Sequence, residues 1–362
     1  MNLATERRED ITLQFRSARI ALPLLIGLSL AGYLIYEDIN RNGAALLSAW
    51  NNLSVGWGAA GWLCLAVLLM ILREAAYMVQ LRILTDRRLS WRAAMEVMLL
   101  WDFFAAVSPS VVGGAAMAVF MLVKERLGIG RGTAVVFTNI LLDEIFYLAM
   151  LPLGLWMVGY EGVFRPLAHI DSDWVSAGML TIFWSAYGAI SAYVLLLGAS
   201  LFVWPRAVNR LLRILFMFRI FKRWRRWGLR TARDLFITSV ELRDRSTGFW
   251  LQLWAVTGTA WLARYLVLNC LLAAFATQPL GWEAHVLAFA RQAALFIVMV
   301  VSPTPGSSGV AEVGFTLMFA DMAPLGLVLP LALLWRAVSY YPYLLIGVPM
   351  MSRWLKRVYG SA

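Results

Sequence analysis

The chain has 362 residues, 61% of them hydrophobic and 15% charged. Apolar runs of spanning length occupy most of it, which excludes an ordinary soluble protein and leaves one membrane domain over residues 1–362. The net charge of +11 would suit nucleic acid, but no recognition module accompanies the basic stretches, so nucleic acid is not an expected partner.

In chain order, Arg7, Arg8, Arg16 and Arg19 precede a first apolar run at 20–36. No small-x-small cleavage site follows it, so it is read as an uncleaved span. Further apolar runs lie near 57–80, 91–107, 110–123, 132–158, 174–203, 248–276, 285–301, 309–320 and 324–350. Cys64 and Cys270 fall in spans without metal spacing, and His169 and His285 form no ligand cluster, so neither metal nor cofactor is expected.

Two short segments interrupt these runs. Ser108-Pro109-Ser110-Val111-Val112-Gly113-Gly114 separates 91–107 from the next run, and Ser302-Pro303-Thr304-Pro305-Gly306-Ser307-Ser308-Gly309 does the same in the second half. Proline cannot donate a backbone hydrogen bond, and glycine opens conformations closed to other residues. Irregular backbone survives at membrane depth only where protein or a water-filled cavity surrounds it. Paired breakers at corresponding places in two halves point to a transporter's binding site.

The distribution of Lys and Arg sets the topology, since these residues concentrate in cytoplasmic loops. They cluster in 1–19, 81–92, 123–131, 204–247 and 351–362. Basic flanks on both sides of 91–124 place both its ends in the cytoplasm. Loops without Lys or Arg on both sides of 284–321 place both its ends outside. The expected fold is therefore an all-α integral membrane protein with six transmembrane helices and two re-entrant helical hairpins, arranged as an inverted repeat. The halves run from about 20–158 and 174–350, with both termini cytoplasmic. Within the connection 204–247, Arg219, Lys222, Arg223, Arg226, Arg230 and Arg233 fall on one arc of a helix, opposite Phe221, Trp224 and Leu235. This reads as an amphipathic helix on the cytoplasmic surface, touching anionic lipid.

Ionisable side chains inside spans are costly and mark pairs or pathways. Arg73 and Glu74 lie near a span end, where snorkelling accounts for Arg73 as well as function does, and Glu96 is expected to reach water. Asp102, Asp143, Glu144, Arg264, Arg291, Glu312 and Arg336 have no such escape. Neutralising ion pairs and a transport site are both open readings of this set.

The stretch Pro303-Thr304-Pro305-Gly306-Ser307-Ser308-Gly309-Val310-Ala311-Glu312 resembles the P-T-P-G-G-x-G-x-x-E signature of the lysylphosphatidylglycerol synthase transmembrane family, the flippase-like proteins. The run Trp335-Arg336-Ala337-Val338-Ser339-Tyr340-Tyr341-Pro342, followed by Gly347, is similar to its closing Arg-aromatic-Pro-Gly segment. Ser108-Pro109, Gly113-Gly114 and Lys124-Glu125-Arg126-Leu127-Gly128 fit its first hairpin and return. The chain departs at Ser307, where the family usually has Gly. It also has Asn139 and Ile140 where a Glu-Arg pair often precedes the position of Asp143. The resemblance implies movement of polar lipids across a bacterial cytoplasmic (inner) membrane. Because the chain stops at Ala362 without the aminoacyl transferase domain of fused members, it is not expected to be an enzyme.

These readings converge on a translocator (flippase) for polar or anionic lipids. Its headgroup site lies between the two breakers, where helices beginning after Gly114 and Gly309 present their N-termini to a phosphate. The candidate substrate-binding residues are Pro109, Gly113, Gly114, Asp143, Arg264, Pro303, Pro305, Gly306, Gly309, Glu312, Arg336 and Tyr340, with no catalytic residue. Arg336 is the expected phosphate ligand, helped by Arg264 or Arg291. A secondary transporter of a small anionic solute and a membrane-embedded lipid-modifying enzyme are the alternatives. Phospholipid or another polar lipid is the expected partner, and a homo-oligomer is left open.

Overall fold

The computed structural model describes residues 56–108, 111–168, 173–204, 239–276, 278–302, 304–324 and 326–359, with scattered positions between 29 and 48 and between 206 and 236. Most of the expected span 20–36, most of the amphipathic stretch 204–247, and the breaker prolines Pro109 and Pro303 lie outside the described residues.

Among the described residues the main elements are ten helices: α1 (Trp57–Leu84), α2 (Trp91–Val107), α3 (Val111–Lys124), α4 (Ile129–Ala168), α5 (Asp173–Gly198), α6 (Thr247–Phe275), α7 (Trp282–Val300), α8 (Val310–Phe319), α9 (Val328–Ser339) and α10 (Tyr341–Tyr359). A π turn, Ala199–Val203, closes α5, and a 3-10 turn, Pro305–Ser307, precedes α8. Among the described residues, six segments are long and apolar enough to cross a membrane: Trp57–Leu84, Ile129–Arg165, Ala177–Gly198, Thr247–Phe275, Trp282–Val300 and Val328–Val358. Five match expected spans. The sixth is α7, which the sequence assigns to one limb of a hairpin.

Local chemistry sets the helix boundaries. Ser90 accepts the Ala93 N–H at 3.1 Å to start α2, and Ser246 accepts the Phe249 N–H at 3.3 Å to start α6. α4 breaks at Gly159, whose φ of 75° glycine holds without steric cost. The final run is also broken, where one continuous span over 324–350 is expected. Pro342 has no N–H to return to Val338, so the helical ladder fails there. Tyr340 caps α9 at φ −134° and ψ −54°. Arg336 therefore sits in the last turn of α9 and not midway along a continuous helix.

Ion pairs gather the basic turns at one end of the bundle. Asp86, between α1 and α2, pairs with Arg131 of α4 and with Arg245, whose Nη2 lies 2.8 Å away. Arg357 of α10 reaches Glu96 of α2 at 2.7 Å and also pairs with Glu125 after α3. The start of α2 and the end of α3 thus meet at the same end. Glu96 is buried between Arg92 and Arg357, which corrects the expectation that it reaches water.

Close packing joins the two halves. α1 lies along α6, α4 along α7, and α10 along α2. A Cβ on Gly154 would sit 2.8 Å from Ala290 Cβ, and one on Gly347 would overlap the Phe103 side chain. Small residues at these crossings let the backbones approach, as helix pairs in membranes require.

Candidate functional site

A cavity of about 220 Å³ lies where the two halves meet. Its wall takes Arg73 and Tyr77 from α1, Asp102 from α2, Asp143 and Glu144 from α4, and Trp261 and Arg264 from α6. The 3-10 turn adds Gly306 and Ser307, and the broken α9–α10 segment adds Arg336, Tyr340 and Tyr343. Three arginines and three carboxylates therefore face one small space.

The first polar group is built on Arg73. Its guanidinium pairs with Glu74 and with Asp102, Nη1 lying 2.9 Å from Asp102 Oδ2, and it donates to the Tyr343 hydroxyl at 2.6 Å. Tyr343 in turn donates to Glu74 at 2.6 Å, and the Tyr77 ring lies 4.7 Å from the guanidinium carbon. Arg73 is buried and turned inward, which overturns the snorkelling reading. An arginine followed four residues later by a tyrosine on the same helix face was the signal available in the sequence.

Asp143 anchors a second group. It accepts from Tyr77 Oη at 3.0 Å, Trp261 Nε1 at 2.7 Å and Asn139 Nδ2 at 3.0 Å. These donors come from α1, α6 and α4 itself, so the carboxylate ties three helices together. Glu144 beside it is buried, and its Oε2 has no hydrogen-bond partner.

The third group surrounds the second breaker. Arg336 Nε lies 3.1 Å from Glu312 Oε1, its Nη2 donates to the Gly306 carbonyl at 2.7 Å, and its guanidinium carbon stands 3.7 Å from the Tyr340 ring centre. Glu312 also accepts the Gly309 N–H at 2.6 Å, capping α8. Gly306 and Gly309 have φ of 55° and 85°, a region that glycine enters without the steric cost other residues meet. Tyr340 packs against Gly306, where a Cβ would strike its ring, and donates to the Ala106 carbonyl at 3.1 Å. One tyrosine thus joins the end of α2 to the second breaker.

Arg264 stands apart. Its guanidinium carbon lies 5.6 Å from the Trp261 ring centre and 5.1 Å from that of Phe296. Among the described residues no carboxylate oxygen comes within 4.0 Å of it, and its buried Nε has no hydrogen-bond partner.

Of the sequence candidates, Asp143, Arg264, Gly306, Arg336 and Tyr340 line the cavity together. Glu312 and Gly309 stand behind Arg336, and Pro305 opens the 3-10 turn. Gly113 and Gly114 do not reach the cavity. α3 begins at Val111, so they lie within its first turn and not before the helix, which corrects the N-terminal placement. They serve packing: a Cβ on Gly113 would collide with Ser108, and one on Gly114 would come within 2.9 Å of Ala105 Cβ. Arg291 is also elsewhere. It binds Asp321 at 2.5 and 2.9 Å and the carbonyls of Gly162 and Met318 at 3.0 Å each.

Apolar helices of spanning length around a charged internal cavity define a multi-pass membrane protein with a polar interior. The chain belongs to the family described as the lysylphosphatidylglycerol synthase TM region, whose family model matches residues 20–347. It is 26% identical over 301 residues to a UPF0104 membrane protein of Archaeoglobus fulgidus, covering 80% of this chain and 85% of that relative. No solved structure matches it.

Proposed function

We propose that the protein carries the polar headgroup of an anionic lipid across a bacterial cytoplasmic membrane through this cavity, leaving the lipid chemically unchanged. The observation that carries the reading is Arg264, a cavity-lining cation without a carboxylate partner among the described residues. A lone charge at membrane depth is costly, and a phosphate brought beside it supplies charge-assisted hydrogen bonds. Arg336 is already engaged by Glu312, Gly306 and Tyr340. In this reading Arg336 holds the turn in shape, and Arg264 takes over as the main phosphate ligand. The cavity of about 220 Å³ is smaller than the roughly 300–1,000 Å³ of pockets that enclose drug-sized ligands. It suits a headgroup whose acyl chains remain in the bilayer.

The membrane arrangement belongs to the same proposal. α2–α3 and α7–α8 are re-entrant hairpins entering from opposite faces, and both termini are cytoplasmic. In support, α3 and α8 have 14 and 10 residues, about 21 and 15 Å at helical rise, against a hydrocarbon core of about 30 Å. Exchange of the halves also maps the packing onto itself: α4 lies on α7 as α10 lies on α2, while α1 lies on its counterpart α6.

The test is reconstitution into liposomes containing fluorescent phospholipid. The wild type accelerates movement between leaflets, and Arg264→Ala slows it about 10- to 100-fold, the worth of one hydrogen bond to a charged group. Arg264→Lys retains part of the rate, because a point charge lacks the planar fork. Equal rates for wild type and Arg264→Ala reject the assignment. Uptake of inorganic phosphate without lipid movement moves the function to small-anion transport.

A further inference from the structure

A second and larger concavity lies on the other side of α4. Asp143 and Glu144 of that helix face the central cavity, whereas Leu142 and Ile145 line a groove of about 650 Å³ completed by Val194, Leu195 and Phe202. Its volume falls within the roughly 300–1,000 Å³ of ligand pockets, and nearly all of its wall is hydrocarbon or aromatic.

Two polar groups interrupt that wall. Thr138 is fully buried and its Oγ1 has no hydrogen-bond partner. Thr133, Thr181 and Thr259 each donate to the carbonyl four residues back at 2.8 Å, as helical threonines commonly do. Thr138 is left with a donor to offer a ligand in the groove. Arg243 lines the groove ahead of α6, is exposed, and has no carboxylate within 4.0 Å among the described residues.

The mouth carries marks of headgroup depth. Trp250 and Trp254 stand in the first turns of α6, and Phe202 of the π turn meets the Trp250 ring edge-on at 5.3 Å. Tryptophan concentrates where acyl chains give way to headgroups. π turns frequently mark functional sites. Leu195, 72% exposed, opens the groove sideways to the surrounding bilayer. An occupant must therefore be apolar along most of its length and carry a negative, hydrogen-bond-accepting end.

We infer that this groove is a lipid-binding site, distinct from the central cavity, that holds an acyl chain of an anionic glycerophospholipid with its polar end at Arg243 and Thr138. The site does not depend on transport, so it can stand or fall separately from the proposed function.

The test uses the full chain in nanodiscs of phosphatidylcholine containing phosphatidylglycerol with a photoactivatable acyl chain, and maps the adducts by mass spectrometry. Adducts are expected on α4, α5 and α6 at the groove. Leu195→Trp, a change at an exposed position, fills the groove and removes them. Arg243→Gln lowers the preference for phosphatidylglycerol over a phosphatidylcholine probe about fivefold, the attraction of one basic residue for an anionic surface. Thr138→Val, nearly the same shape, weakens capture without changing that preference. Adducts spread evenly over the outer surface overturn the site, as does capture that Leu195→Trp leaves unchanged. So does a cross-link showing that the chain's own segment 205–238 fills the groove.

Discussion

Glu312 serves two partners at once, the Arg336 guanidinium and the Gly309 N–H at the start of α8. Removing one member of a buried pair leaves an uncompensated charge and costs about 3–5 kcal/mol, far more than the pair itself contributes over a well-packed apolar replacement. Arg336→Ala is therefore expected to lower the unfolding temperature in detergent, with loss of transport following from instability. Arg336→Met combined with Glu312→Gln, which keeps an acceptor for Gly309, should recover most of the stability. A stable Arg336→Ala protein that has lost only transport would return Arg336 to the role of phosphate ligand. Arg264→Ala differs in kind: without an ion partner to orphan, it should leave the unfolding temperature nearly unchanged. Asp143→Asn keeps the shape but replaces one acceptor oxygen with a donor facing the Tyr77, Trp261 and Asn139 donors. At least one of those bonds is lost, for a cost of about 1–3 kcal/mol, read as a lower unfolding temperature.

At the scale of elements, the two breakers do different work. The first brings α3 back against α2 so closely that Gly114 touches Ala105. Gly114→Val forces the limbs apart, and overpacking of this kind costs about 1–3 kcal/mol; thermal unfolding with retained helical circular dichroism is the check. The second breaker is a tight turn around Gly306, covered by Tyr340, which also reaches the Ala106 carbonyl. Gly306→Leu both opposes the positive φ and displaces the tyrosine ring. It should abolish transport while the protein still inserts, because the Tyr340 contact between the end of α2 and the second breaker is lost at the cavity. A fully active Gly306→Leu protein would mean that the turn is a connector and no part of the path.

For the whole molecule, the sharpest issue is which ends share a membrane face. Asp86 with Arg131 and Arg245, and Arg357 with Glu96 and Glu125, gather the basic turns at one end. Single cysteines at Gly128, Trp282 and Pro324 report the faces, after Cys64, which is exposed, is replaced. Position 128 should label from the cytoplasm, and 282 and 324 from outside. Labelling of 282 and 324 from opposite faces would make α7 a full crossing, which its 19 residues permit, and would remove the second hairpin.

Hydropathy and charge run along the chain, so the sequence by itself determined the membrane class, five of the six described spanning segments and the clustering of basic turns. The apolar run ending at residue 158 was legible from hydropathy, and the structure adds the helix break at Gly159 just beyond it. The motif around Pro305–Glu312 was legible because glycine and proline restrict backbone conformation locally. Which charges pair could only be decided in three dimensions. Arg73 meets Tyr343 across 270 positions, and Tyr340 meets Ala106 across 234. No local pattern encodes such partners. In the sequence, snorkelling therefore accounts for Arg73 as well as function does and Glu96 reads as solvated, whereas packing buries both. Arg336 and Arg264 look alike as letters in apolar runs. Both stand beside aromatic rings, and tertiary packing alone separates them: among the described residues it places a carboxylate beside Arg336 and none within 4.0 Å of Arg264. At low dielectric that neighbour decides whether a cation is already satisfied or still available to an anion.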